Sequence, residues 1–141
     1  MMLQLTITPP LEHPHVRGLI AELSIANGAP SSTATIRARP YHAMDWMLPE
    51  AGSELKDVRP RDVCPTRAQA LFAQVCEARL PLISSSQPGI HETSFCLRVF
   101  SAGSFCEYNW RRVAPSEWKD LDDIVSEIQS IAEEQLNSES P

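Results

Sequence analysis

The chain opens on an alternation. Leu3, Leu5 and Ile7 sit between Gln4, Thr6 and Thr8, the period of a strand with one buried face, and Pro9-Pro10 stops it. Residues 11–17 hold His13-Pro14-His15 and read as loop. Alternation returns over 18–26 through Leu19, Ala21, Leu23 and Ile25. Asn27-Gly28-Ala29-Pro30 has turn chemistry, because Asn and Gly accept positive φ. Residues 33–39 are rich in β-branched side chains, with Ala34, Ile36 and Ala38 on one side. The second and third strands therefore form a predicted hairpin.

Regularity fails over 40–65. Pro40, Pro49, Pro60 and Pro65 interrupt it, and charge-rich turns fill the gaps. Tyr41, Trp46, Met47 and Leu48 are too apolar for a pure linker. The expectation is a Pro-rich insertion, with a short helical turn over 42–48 packed on the body and an exposed loop after it.

Thr66 is then a candidate N-cap, and Gln69 three residues on completes a capping box. Ala68, Leu71, Phe72, Val75, Cys76 and Leu80 make an apolar stripe at helical spacing, and Pro81 ends it. Residues 94–100 and 105–111 form the clearest hairpin. Pairing Phe100 with Phe105 sets Val99 by Cys106, Leu97 by Tyr108 and Phe95 by Trp110, all apolar or aromatic, on one face. The same register sets Arg98 opposite Glu107 and Cys96 opposite Asn109 on the other face. A closing helix is predicted over 116–136. Its face is Trp118, Leu121, Val125, Ile128 and Ala132, widened by Ile124 and Ile131, and residues 137–141 are expected to fray.

Strand-strand-strand, helix, strand-strand, helix excludes a run of βαβ units. The predicted class is α+β: an antiparallel sheet of about five strands with both helices packed on one face, in a single domain spanning 1–141. The 141 residues suffice for one core without staples, and 43% hydrophobic with 21% charged residues is ordinary globular composition. No apolar run reaches membrane-spanning length, so no membrane partner is expected. The first residues lack a basic n-region and an apolar h-region, which points to a cytoplasmic protein.

Charge is distributed unevenly. Of the net −6, the last 26 residues carry eight acids and one base, while the other 115 carry ten acids and eleven bases. An acidic closing helix repels phosphate backbones, so no nucleic-acid partner is expected. The arginine pairs Arg37/Arg39, Arg59/Arg61 and Arg111/Arg112 read as solvated surface. Cys64, Cys76, Cys96 and Cys106 match no zinc or redox spacing and are expected to be free thiols, with Cys76 and Cys106 on apolar faces.

Catalytic signals are sparse. His13 and His15 form the one histidine cluster and a weak metal alternative, with His42 or His91 as a third ligand. No phosphate-cradling loop or nucleophile elbow occurs, and no cofactor is expected. Asp120, Asp122 and Asp123 are explained by the dipole at the helix start, with Asp122 and Asp123 toward solvent. What remains is surface recognition. Trp110 and Trp118 fall on core faces. Trp46 lies in the Pro-rich stretch beside Tyr41 and Met47, residue types enriched at interface centres, and Arg59 and Arg61 suit a polar rim.

Over residues 66–136 the order of helix, loop, hairpin, Pro115-Ser116-Glu117-Trp118 start and amphipathic closing helix resembles the emfourin-like small bacterial inhibitors of metalloproteases. The resemblance implies a strand pair before the helix, and inhibition by contact. The Gly-Gly-Phe-type segment of that family has no counterpart; Asn27-Gly28-Ala29-Pro30 stands in the comparable place, and no functional residue carries over.

The favoured reading is a non-enzymatic interaction protein: an inhibitor, immunity-type or adaptor domain whose partner is another protein, with Tyr41, Trp46, Met47, Arg59 and Arg61 as the contact. The alternative is a small enzyme using a cysteine nucleophile or a histidine-bound metal. Stoichiometric metal, or one thiol reacting far faster than the rest, favours the enzyme.

Overall fold

A computed structural model describes residues 2–9, 18–26, 33–41, 55, 57–78, 93–101, 103–111 and 119–138. The elements are β1 (Met2–Thr8), β2 (Gly18–Ala26), β3 (Thr33–Tyr41), β4 (Arg61–Val63), α1 (Pro65–Glu77), β5 (Ser94–Ser101), β6 (Ser104–Arg111) and α2 (Lys119–Ser138). The strands form one sheet in the order β4-β3-β2-β1-β5-β6, with every neighbouring pair antiparallel. The class is α+β, with six strands where the sequence suggests about five.

Register converts the period-two pattern into rows. Ala38, Ala21, Leu5, Leu97 and Tyr108 line up across five strands, and Ile36, Leu23, Leu3, Val99 and Cys106 form the next row. Pro40, Leu19, Ile7, Phe95 and Trp110 form a third. Most of these side chains are buried in one core that also holds Ala68, Leu71 and Phe72 of α1 and the apolar face of α2. Both helices therefore cover the same side of the sheet. Trp110 is 2% exposed and stacks on Phe95, with ring centroids 5.4 Å apart and planes at 10°.

The β5–β6 register is the one the sequence dictates, pair for pair from Phe95↔Trp110 to Phe100↔Phe105. The ladder runs on to Ser101↔Ser104, which leaves a two-residue turn. Gly103 in that turn has φ +84°, a conformation that costs glycine nothing.

The helices depart from expectation in ways their termini explain. Pro65 occupies the first helical position, where its fixed φ is already helical and its missing N–H is no loss. The helix therefore starts two residues earlier than a Thr66 cap would place it, Cys64 is the N-cap, and no side-chain cap bond forms. Thr66 lies inside the first turn, and the Thr66–Gln69 capping box is not made. α1 stops at Glu77 because Ala78 is extended, its N–H bonded to the Gln74 carbonyl at 2.9 Å. Leu80 and Pro81 lie outside the described residues. Cys76 and Cys106 are exposed, not core: Cys76 falls outside the buried face of α1 formed by Ala68, Leu71 and Phe72, and Cys106 lies on β6, the end strand of the sheet.

α2 continues to Ser138, beyond the expected fraying point; residues 112–118, Trp118 among them, lie outside the described residues. Its face of Leu121, Ile124, Val125, Ile128, Ile131 and Ala132 is buried throughout. Asp123 is exposed, while Asp122 is half-buried rather than fully solvent-facing. The helix crosses the sheet. Leu121 and Ile124 share a cleft with Leu97, Val99 and Tyr108, whereas Leu136 and Asn137 share a groove with Gly18, Leu19 and Pro40. Among the described residues no helix is long and apolar enough to cross a membrane.

One arginine ties the helices together. Arg67 of α1 donates from Nε to Glu127 Oε1, from Nη1 to both carboxylate oxygens of Glu134 at 2.9 Å, and from Nη2 to Ser130 Oγ at 2.9 Å. These partners follow one ridge of α2 at three- and four-residue spacing. Glu127, then Glu134, raise the guanidinium pKa further above its ordinary value. The cluster is partly solvated, so its worth is of order 1 kcal/mol rather than that of a buried pair.

The stretch expected to be one irregular insertion is partly strand. β3 runs through Pro40 to Tyr41, and Arg61–Val63 pairs with Ala34–Ile36 as β4. β4 reaches only as far as Ile36, so among the described residues no strand pairs with the far side of β3 at Pro40, a position where proline is tolerated. Between them, Leu55 crosses to the opposite face of the sheet. It is 2% exposed and packs with Val58 on Ile20, the one apolar side chain buried on that side of β2. An i to i+3 bond from Val58 N–H to the Leu55 carbonyl, 3.1 Å, closes the turn.

The packing yields a direct contrast. Leu121→Ala and Ile128→Ala are each expected to cost about 2–5 kcal/mol in urea unfolding, as deletions in a closed core do. Asp123→Ala, two residues after Leu121 and on the exposed side, is expected to cost less than about 1 kcal/mol. Equal costs would mean that α2 is not docked by this face.

Candidate interaction surface

The sheet has a second face. Its side chains alternate with the core rows, so the sequence makes them polar: Gln4, Thr6 and Thr8 on β1, Glu22 and Ser24 on β2, Thr35, Arg37 and Arg39 on β3, Cys96 and Arg98 on β5, Glu107 and Asn109 on β6. One row crosses the sheet as Arg37, Glu22, Gln4, Arg98, Glu107. Charges of opposite sign meet at both ends of it.

These side chains hold one another. Arg98 donates from Nε to Glu107 Oε2 at 2.8 Å and reaches Gln4 Oε1 from Nη1 at 3.4 Å. Asn109 Nδ2 donates to Glu107 Oε1 at 2.8 Å. Arg37 Nη1 stands 3.9 Å from Glu22 Oε1, an ion pair without a hydrogen bond. The amide of Asn109, then the guanidinium of Arg98, hold the Glu107 carboxyl below the ordinary carboxylate range. Cys96, in the next row between Thr6 and Asn109, has its thiol pKa raised by burial and then by Glu107. The result is a broad array of donors and acceptors whose positions are set by the sheet. Such an array suits contact with another polar surface.

The structure separates the residues singled out from sequence. Arg59 is exposed, on the segment that leads from the Leu55 turn to β4. Arg61 is half-buried in β4, opposite Ile36 and so in line with the helix-side rows. Tyr41 is the last residue of β3, opposite Gly18. Trp46, Met47, His13, His15, His42 and His91 lie outside the described residues. The Arg98–Glu107 pair was visible as a cross-strand match; Gln4, Glu22 and Arg37 join it only through the pairing of β5 with β1, which no local signal announces.

Among the described residues, no group of three or more His, Cys, Asp or Glu is placed to hold a metal ion. All four cysteines are free. Cys64 is exposed, and the backbone N–H of Arg67, then that of Thr66, at the start of α1 favour its thiolate and lower its pKa, although neither closes a capping hydrogen bond. No family model, curated protein or solved structure matches the chain.

Two outcomes are expected. Under limiting iodoacetamide at neutral pH, peptide mapping should find Cys64 alkylated before Cys76 and Cys106, and Cys96 last; Cys96 reacting first would contradict the assignment. A carboxylate held below its ordinary pKa stabilises the fold fully above that ordinary value and loses the contribution as pH falls through the lowered one. Glu107→Gln should therefore flatten the acid side of a Tm-against-pH curve, below the usual carboxylate range. An unchanged acid slope would mean that the pair contributes nothing.

Proposed function

We propose that this chain is a non-enzymatic interaction protein, an inhibitor, immunity-type or adaptor domain that works by protein–protein contact. The observation that carries the reading is the polar row Arg37, Glu22, Gln4, Arg98, Glu107 on the face of the sheet opposite the helices. A face needed only for solubility asks for mixed charge, not for the hydrogen bonds that join Gln4, Arg98, Glu107 and Asn109 across three strands. The contact is proposed to centre on this row and to include exposed Arg59 at its margin. The partner is another protein, and the proposed place of action is the cytoplasm. Nucleic acid is not the proposed partner, since the acidic closing helix repels it. The resemblance to emfourin-like inhibitors narrows the inhibitor reading to a metalloprotease.

A second reading draws on Cys64. An exposed thiol with lowered pKa at a helix start has the character of a nucleophile, which keeps a small cysteine enzyme as the alternative.

Affinity capture from the source organism with wild type and with Arg37→Glu/Arg98→Glu, both checked for equal Tm, tests the first reading. The expected result is a defined partner held by wild type, with binding weakened by roughly 2 kcal/mol or more in the variant, as when a charged contact at an interface centre is lost. Equal capture by both proteins, or no partner at all, would overturn it. Titrating a zinc metalloprotease with the purified protein separates inhibitor from adaptor. Loss of function on alkylation of Cys64 alone would favour the enzyme.

A further inference from the structure

The two ends of the sheet differ. β4 closes one end with three residues, the short kind of edge that resists further pairing. β6 closes the other with eight, paired with β5 without a bulge from Ser94↔Arg111 to Ser101↔Ser104. Its sequence holds neither proline nor lysine, so it lacks the proline, lysine or bulge that commonly blunts a long edge. The Ser101↔Ser104 pair closes a two-residue turn, so these two residues exchange both main-chain bonds. Counting from it, Cys106, Tyr108 and Trp110 turn their N–H and C=O toward β5. Phe105, Glu107, Asn109 and Arg111 turn theirs to the outer side, where among the described residues no strand pairs with them. On the helix side of this strand Cys106 is exposed and Tyr108 half-buried, at an apolar cleft of about 340 Å³ that Val75 and Val99 also line.

We propose that β6 pairs with β6 of a second copy of this chain, antiparallel about a two-fold axis at Asn109, joining two sheets into one. The surface used is the sheet edge, and the contact is independent of any partner on the polar face. Both strands have the same sequence, so self-complementarity decides the register. Side chains must keep to their own face, and outward main-chain groups must meet outward ones. The axis therefore passes through a residue and not between two. Four centres keep more than half of the strand paired. An axis at Glu107 sets two carboxylates directly opposite each other, which repels. Axes at Cys106 and Tyr108 set Glu107 against Phe105 or Asn109 and leave Arg111 without a carboxylate opposite. An axis at Asn109 sets Glu107 of each copy opposite Arg111 of the other, a complementary pair made twice. It also sets Tyr108 opposite Trp110 on the helix side, an aromatic cross-strand match. Main-chain bonds among Glu107, Asn109 and Arg111 of the two strands supply the affinity, as in other strand additions at a sheet edge. The polar row that ends at Glu107 then continues onto the second copy.

The test is sedimentation equilibrium of the full chain, reduced, which should show a monomer–dimer equilibrium. Arg111→Glu and Glu107→Arg each set like charges opposite one another, and each is expected to weaken self-association by about tenfold. An equimolar mixture of the two variants should associate as wild type does, because each chain then meets the opposite charges of the other. Circular dichroism checks that each variant is folded. A second readout needs no variant and decides the matter if either one fails to fold: by NMR, amide exchange at Glu107 and Asn109 should slow as the protein concentration rises, while that at Cys106 and Tyr108, already bonded to β5, should change little. A wild-type chain that stays monomeric up to millimolar concentration would overturn the proposal and leave this edge to a strand of another protein. Undiminished association of a folded single variant, a mixture of folded variants that fails to associate, or exchange at Glu107 and Asn109 that ignores concentration would overturn it as well.

Discussion

The structure depends on covering one face of one sheet. An antiparallel sheet with alternating side chains has an apolar side that water penalises, at roughly 25 cal/mol for each Å² left exposed. Here the rows through Leu5 and Leu3 present that side, and the two helices hide it. β1 is the reference strand, because it pairs with β2 on one side and β5 on the other. A slip of one residue at either boundary would turn Leu3, Leu5 and Ile7 outward and Gln4, Thr6 and Thr8 inward. The cost of that reversal fixes the register of the centre, and the hairpins to either side inherit it.

Much of this was legible in the chain. The alternation of β1, β2 and β3 is clean, and the β5–β6 register follows from two independent sets of cross-strand partners. What was not legible is long-range or weakly encoded. Three residues between Pro60 and Pro65 give no period, so β4 shows itself only by docking on β3. Leu55 stands among polar residues, and nothing local says that it will cover Ile20 on the far face. Pro65 shifts the start of α1 ahead of the Thr66 capping signal because a preset φ acts without needing a side-chain bond. The polar row was half-read: the Arg98–Glu107 pair follows from the hairpin, but its continuation through Gln4 and Glu22 needs the strand order. The contact residues the sequence favours all fall in 40–65, where aromatic content is the signal. The polar face had none, since alternating polar residues look like ordinary solvated strand.

The two faces also divide the charge. α2 brings its acids to the helix side, where Arg67 neutralises part of them through Glu127 and Glu134. The sheet face opposite the helices mixes guanidinium and carboxylate in fixed positions. A partner meeting that face meets an ordered pattern, and pattern is what confers specificity in polar contacts. The same β-strands thus supply a core on one side and, on the other, the ordered polar face proposed for recognition. A change that loosens the core would blur the surface, because the row is aligned only as well as the register that carries it.

Sidedness is the central physical claim, and solvent paramagnetic relaxation measured on side-chain signals tests it most directly. With a soluble paramagnetic agent, the methyl groups of Leu3, Leu5, Leu23 and Leu97 should keep their intensity, since each is at most 1% exposed. Met2 and Thr6, their neighbours on the same strands and only half-buried, should be attenuated, so that the effect alternates residue by residue along β1. Uniform attenuation along β1, or protection of Met2 and Thr6 equal to that of Leu3 and Leu5, would contradict a sheet with one buried and one half-exposed face.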